Sequence, residues 1–252
     1  MAPSCVRSQP AQWRRVSFVP EQLDAVAQYG KALGLDVRVR TVLVEGRTDA
    51  DLFSLAAMLE RESTGIELLG GDLAILPAGD GELGGTTGVI RELLCFRGLA
   101  RTCLEPNGRP RYRFVGLFDN DKAGKYAVTS ARALDTSIIE YKDVFRIWPT
   151  MPRTGNLDPG TVQKTFEREN LLYKGLEWEL EDLLPQAFTD GFVADQPGAI
   201  IRNTVINGKT HRDFSRDGKA RFHRFVKQHA IRQDLIGVAD VLKTLRFYLG
   251  LK

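Results

Sequence analysis

Two acidic clusters in this sequence are placed where carboxylates could do chemistry: Glu45-Gly46 with Asp49 just after, and Asp119-Asn120-Asp121. Each follows a run rich in apolar residues, ending in Val42-Leu43-Val44 and in Gly116-Leu117-Phe118. Residues i and i+2 of an extended segment point to the same side, so Asp119 and Asp121 can converge on one cation. Magnesium takes oxygen ligands, commonly one or two carboxylates, with waters and substrate phosphate completing the octahedron. If the two runs are neighbouring strands, Glu45 joins the aspartates, and such a negative pocket is costly unless a divalent cation occupies it. Taken singly, either cluster serves equally well as a helix cap or a turn. Together, each at the end of an apolar strand, they are a more specific signal.

Cations gather later in the chain. Residues 202–232 hold Arg202, Lys209, Arg212, Arg216, Lys219, Arg221, Arg224, Lys227 and Arg232, opposed only by Asp213 and Asp217, and all three histidines (His211, His223, His229) lie there too. A stretch of this kind can neutralise phosphates, and it can equally be a solvated helix face.

The elements that would position these groups follow from periodicity. Residues 21–34 have helical spacing, with Leu23, Val26, Ala27 and Leu33 roughly on one side. Val37–Val44 reads as a strand whose later part is buried, and a helix capped by Thr48 or Asp49 runs on to about Arg61. A second strand at Leu73–Leu76 precedes a glycine-rich turn (Gly84, Gly85, Gly88) and a helix to about Ala100. Tyr112–Phe118 is the third strand, a helix runs from about Lys122 to Leu134, and Val144–Trp148 is the fourth strand. Strands alternating with such helices predict an α/β, Rossmann-like domain with a central, mainly parallel sheet. The N-terminal and C-terminal elements are predicted to be helical. We expect a tail and helix over 1–36, the core over 37–150 and a mostly helical extension over 151–252. In that extension Leu176–Leu184 (LEWELEDLL) looks helical, as does the basic stretch.

Composition bounds the classes. The 252 residues are 43% apolar and 27% charged, which is ordinary globular usage and sets aside disordered and fibrous chains. No apolar run approaches the roughly 18 residues that cross a bilayer, so no membrane association is expected. Cys5, Cys95 and Cys103 are too few and too scattered for a disulfide framework or a four-ligand zinc site, and a reducing, cytoplasmic setting is expected. The net charge of +3 is matched by Arg7, Arg14 and Arg15 in an acid-free basic tail that lacks the apolar core of a secretory signal.

Val42-Leu-Val-Glu45-Gly46-Arg-Thr-Asp49 and Phe118-Asp119-Asn-Asp121-Lys-Ala-Gly124 resemble the two hallmark motifs of the Toprim domain, over about residues 38–150. That domain is shared by topoisomerases, bacterial primases, recombination mediators and OLD-family nucleases. The match of Pro77-Ala-Gly-Asp80 to the family's second strand and turn is looser. The resemblance implies phosphodiester chemistry with magnesium or manganese, with Glu45 as metal ligand or general acid/base and Asp119 and Asp121 holding metal. The chain leaves no room for a topoisomerase tyrosine domain, and its cysteines cannot supply the zinc site of a replicative primase or of a RecR-type mediator.

The remaining features look most like the OLD-type nucleases. Asp49 stands where those proteins place a second-metal ligand, Glu177, Glu179 and Glu181 resemble their acidic helix, and Lys219 resembles a lysine near their scissile phosphate. The implied scheme uses two metals. Glu45, Asp119 and Asp121 hold the first, Asp49 with Glu179 or Glu181 holds the second, and Lys219 balances charge on the phosphorane. Arg212, Arg216, Lys219, Arg221, Arg224 and Lys227 would track the backbone of DNA or RNA. OLD proteins carry an ATPase, and no GxxxxGK[ST] loop occurs here, so a separate ATPase chain is expected, as in split anti-phage defence systems. A homodimer through the apolar C-terminal helix is compatible with the pattern. Open beside this reading are a non-cleaving Toprim binding module, a primase-like or ribosomal-RNA-maturing Toprim enzyme, and an α/β enzyme acting on a phosphorylated small molecule.

Overall fold

The computed structural model describes residues 23–79 and 83–251. The basic tail with Arg7, Arg14 and Arg15, together with Cys5, Trp13 and Asp80, lies outside them. Helix α1 (Ala25–Ala32) leads into β1 (Arg40–Val44), α2 (Arg47–Thr64), β2 (Leu73–Pro77), α3 (Gly85–Ala100), β3 (Arg113–Phe118), α4 (Lys122–Leu134) and β4 (Val144–Arg146). The four strands form one parallel sheet in the order β2-β1-β3-β4. The alternation of strands and helices therefore gives the expected α/β sheet.

Both faces of the sheet are covered, which is why its strands are almost wholly apolar. The alternation along a strand sorts side chains between two layers. Val42, Val44, Val115 and Leu117 join a core with Phe53 of α2 and with residues from the C-terminal helices. Leu43, Phe114 and Phe118 join another with Val89 and Phe96 of α3 and Ala127 of α4. After β4 come α5 (Pro159–Glu169), α6 (Gln186–Asp195), a hairpin of β5 (Ile200–Ile206) and β6 (Lys209–Phe214), then α7 (Arg216–His229) and α8 (Ile236–Tyr248). Val238, Leu242 and Leu245 of α8 belong to the same core as Val42 and Phe53, so this region closes one face of the sheet.

Two helical expectations are corrected. Leu176–Leu184 is not a helix, because only Leu180–Leu183 makes a 3-10 turn. Its backbone is drawn to the end of β3 instead: Asn120 N–H donates to the Trp178 carbonyl (2.8 Å), and Leu180 N–H donates to Asp119 Oδ1 (3.0 Å). The stretch 200–214 is an antiparallel hairpin. Its strand β5, Ile-Ile-Arg-Asn-Thr-Val-Ile, is β-branched, and Asn207-Gly208 supplies the two positive φ angles (47° and 76°) that a tight hairpin turn requires.

Candidate metal centre

β1 and β3 are hydrogen-bonded neighbours, in register from Arg40↔Arg113 to Leu43↔Gly116, so their carboxyl ends deliver Glu45 and Asp119 to the same edge of the sheet. A parallel sheet exposes ligand sites at this edge. Asp49, in the first turn of α2, faces it as well, held by the bond that its Oδ2 accepts from Gly46 N–H at 3.1 Å. These residues line a cleft of about 380 Å³ together with Gly79, Gly84 and Lys219.

The C-terminal region completes the cleft from the other side. The two backbone bonds to Asn120 and Asp119 pin residues 178–180 against the end of β3, which brings Glu179 and Glu181 to the acids. Ser215 caps α7 by accepting from Gly218 N–H, and the helix then presents Lys219 and His223, one turn apart, on the side facing them. Lys219 Nζ lies 3.2 Å from Glu179 Oε2 and 3.1 Å from Glu181 Oε1. His223 Nε2 is 2.7 Å from Glu181 Oε1. Ligand atoms of Asp49, Glu181 and His223 all lie within 4.8 Å of one another.

The electrostatics record one interacting cluster. Burial, then the charges of Asp49 and Asp121, push the Glu45 carboxyl up to about 7, with Lys219 opposing. Burial likewise raises Asp119 well above the usual carboxylate range, with Glu181, Glu45 and Asp49 adding to the shift. Asp49 is raised by burial and by Glu181. Glu181 goes the other way. Burial works against its ionisation, but the Lys219 ammonium and the His223 hydrogen bond outweigh it and hold the carboxyl down at about 2. Lys219 is held charged by Glu181, Asp119, Glu179 and Asp49 against its own burial. Carboxylates kept this close at the edge of a desolvated site favour a divalent cation.

The donor set fits a hard or borderline divalent ion, being carboxylate oxygens with one imidazole. Glu181 Oε2 is buried with no hydrogen-bond partner among the described residues, so it retains a lone pair for a ligand.

Not every residue expected at a metal converges. Asp119 and Asp121 do not form a tight triad with Glu45 among the described residues; the groups that do are Asp49, Glu181 and His223 and, at the hairpin, Glu177, His211 and Asp213. The i, i+2 rule lapses because the chain leaves the strand after Phe118. Asp121 becomes the N-cap of α4, and its Oδ1 accepts from Gly124 N–H at 2.7 Å. His223 was not expected from the sequence, although its place four residues after Lys219 on a helix was a signal for it.

The basic residues fall into two sets. Arg212 is 8% exposed, pairs with Asp190 and donates its backbone N–H to Asp182 Oδ1, so it is not a surface cation. Arg221 pairs with Asp217, and Lys227 pairs with Asp51. Arg216 and Arg224 are exposed on α7. Glu177 lies away from Lys219, bonded to Arg202 at 3.2 Å. Arg202 also pairs with Asp213, while buried His211 bridges Asp182 (2.6 Å) and Asp213 (2.9 Å). That network ties the hairpin to the turn carrying Glu179 and Glu181.

No protein-family model matches the chain, no curated protein matches it and no solved structure matches it.

Proposed function

We propose that this chain is a divalent-metal-dependent nuclease that cleaves phosphodiester bonds of DNA or RNA. The observation that carries the reading is the meeting of Glu45, Asp49 and Asp119 from separate elements on one cleft lined also by Lys219, with the buried Glu181 paired to that lysine. Asp49, Glu181 and His223 would hold one magnesium or manganese ion, and Glu45 with Asp119, aided by Asp121, would hold a second. Metal bound there would supply Lewis-acid activation of water and charge relief at the leaving oxygen. Glu45, whose carboxyl burial and the neighbouring acids raise in the metal-free site, would be held ionised by the cation and would orient the attacking water. Lys219 stands within reach of both acid groups, where its ammonium can balance charge developing on the phosphorane. Arg216 and Arg224, both exposed on α7, would meet the phosphate backbone and give salt-dependent binding with little base specificity.

The Toprim-like motifs support the same chemistry, and their OLD-type character extends the proposal to a cytoplasmic anti-phage effector that works with a separate ATPase. The test is incubation with supercoiled plasmid and with total tRNA, in magnesium, manganese or chelator. Metal-dependent cutting that Asp119→Asn loses supports the nuclease and names its substrate class. Absence of cutting together with absence of metal binding by calorimetry overturns it.

A further inference from the structure

At the other end of the sheet lies a pocket of opposite character. The strands begin there, and a concavity of about 430 Å³ is lined by Arg40, Arg97, Arg101, Arg109, Arg113 and Lys142. Asp143 is the one acid among the lining residues, and it is already paired with Arg97. Arg101 reaches Asp135 at 3.5 Å. Arg40, Arg109, Arg113 and Lys142 have no carboxylate partner among the described residues.

Part of this arrangement is structural. Arg113 donates to the carbonyls of Tyr248 and Lys142, each at 3.0 Å, and Arg40 donates to those of Leu249 (3.4 Å), Val39 (3.1 Å) and Arg111 (3.4 Å), leaving its Nη2 uncommitted among the described residues. Cations are favourable at the C-terminal end of a helix, here α8. A guanidinium has five N–H donors, however, and these bonds use only some of them. Nor does helix capping account for Arg109 and Lys142, which are exposed at the mouth of the pocket. Burial pushes the Arg113 guanidinium below its ordinary value, and Arg40 and Arg97 add to the shift against Asp143. Arginines drawn together at the first residues of adjacent strands repel one another, and an anion would relieve that repulsion.

The size and walls narrow the ligand. A pocket of this volume suits a small molecule. A single phosphate monoester brings about −1.5 to −2 charges, which leaves the uncompensated cations only partly neutralised, so two or three linked phosphates fit better. Pro110 and the half-buried Tyr112 form the accessible apolar side for a non-phosphate body, with Ala100 and Phe114 buried beneath the lining. We infer that this pocket binds a nucleoside di- or triphosphate, with its phosphates among Arg40, Arg109, Arg113 and Lys142. The site is separate from the acidic cleft and does not depend on the nuclease reading.

The test is calorimetry on the full chain in chelator, which removes metal-mediated binding at the acidic cleft. ADP, ATP, GTP, pyrophosphate and a short DNA duplex are titrated in turn. The variant is Arg109→Ala with Lys142→Ala, both exposed and neither holding a backbone carbonyl with its side chain. Expected is nucleotide binding tighter than that of pyrophosphate, weakened about tenfold or more in the variant and unchanged in Glu45→Gln. Hydrogen exchange should show protection by ADP within residues 97–113. Binding that the variant leaves intact, pyrophosphate binding as tight as that of any nucleotide, duplex that displaces nucleotide from this face, or no nucleotide binding would each overturn the inference.

Discussion

The Lys219 ammonium, carried on α7, lies 3.1 Å from the Glu181 carboxylate on the turn after Trp178, and this contact joins the C-terminal region to the acids of the parallel sheet. It is the internal counter-ion of the cluster. Without it, only His223 would offset Asp49 and Glu181, and Asp119 would lose the cation that opposes its shift.

Lys219→Met is therefore expected to lower stability by about 1–3 kcal/mol, a figure kept below that of a fully buried pair because the side chain is a third exposed. Millimolar magnesium should restore part of the loss, since a bound cation replaces the missing charge. Thermal unfolding with and without chelator reads this directly. An equal loss in both conditions would mean that the cleft does not take a cation. Cleavage should fall by roughly a hundredfold or more.

Asp121→Asn separates charge from capping. Its Oδ1 accepts from Gly124 N–H, and asparagine caps helices about as well as aspartate, so stability should move by no more than about 0.5 kcal/mol. What changes is the charge felt by Glu45. Metal affinity and cleavage should drop while the unfolding midpoint stays in place. A variant that melts early would instead place Asp121 among purely structural caps.

Much of the sheet was legible because its signals are local. The apolar runs ending at Val44 and Phe118 and the helices between them follow from period and caps, and so does the meeting of Glu45 with Asp119 once the strands are neighbours. The C-terminal half was less legible for an identifiable reason. LEWELEDLL has helical periodicity, but the Trp178 carbonyl and the Leu180 N–H are taken up by Asn120 and Asp119, two long-range bonds that no window of sequence reveals. The hairpin at Asn207-Gly208 was expected as helix, although its turn residues and β-branched flank carried a local signal for a hairpin. His223 enters the site only because α7 docks as it does.

Glu45 gives the fold a signature with pH. Its carboxyl is raised from 4.5 to about 7, so between those values the folded state holds a proton that the unfolded chain has released. Stability of the metal-free protein should fall as pH rises through that window. Glu45→Gln should flatten this dependence. Added magnesium should oppose it, because the cation favours the ionised carboxylate, and metal affinity should climb toward and above pH 7. Denaturant melts at pH 5, 6 and 7, with and without magnesium, check both signs. A metal-free stability that rises over this range would show that other groups dominate.

The turn holding both aspartates depends on close backbone approach at Gly124. A Cβ added there would sit 2.0 Å from the Asp119 carbonyl oxygen, which belongs to the backbone and cannot swing away. Gly124→Ala must shift either the start of α4 or the end of β3, and so displace the groups that meet Leu180 N–H and the cleft. The expected cost is about 1–3 kcal/mol or more, with weakened metal binding. Gly98, within α3, has nothing within 4 Å of an added Cβ, so Gly98→Ala should stabilise by about 0.5–1 kcal/mol and leave metal binding unchanged. Paired melts and metal titrations of the two variants separate the local packing demand at Asp119 from the general preference of helices for alanine. Equal behaviour of the two would remove Gly124 from any role in shaping the site.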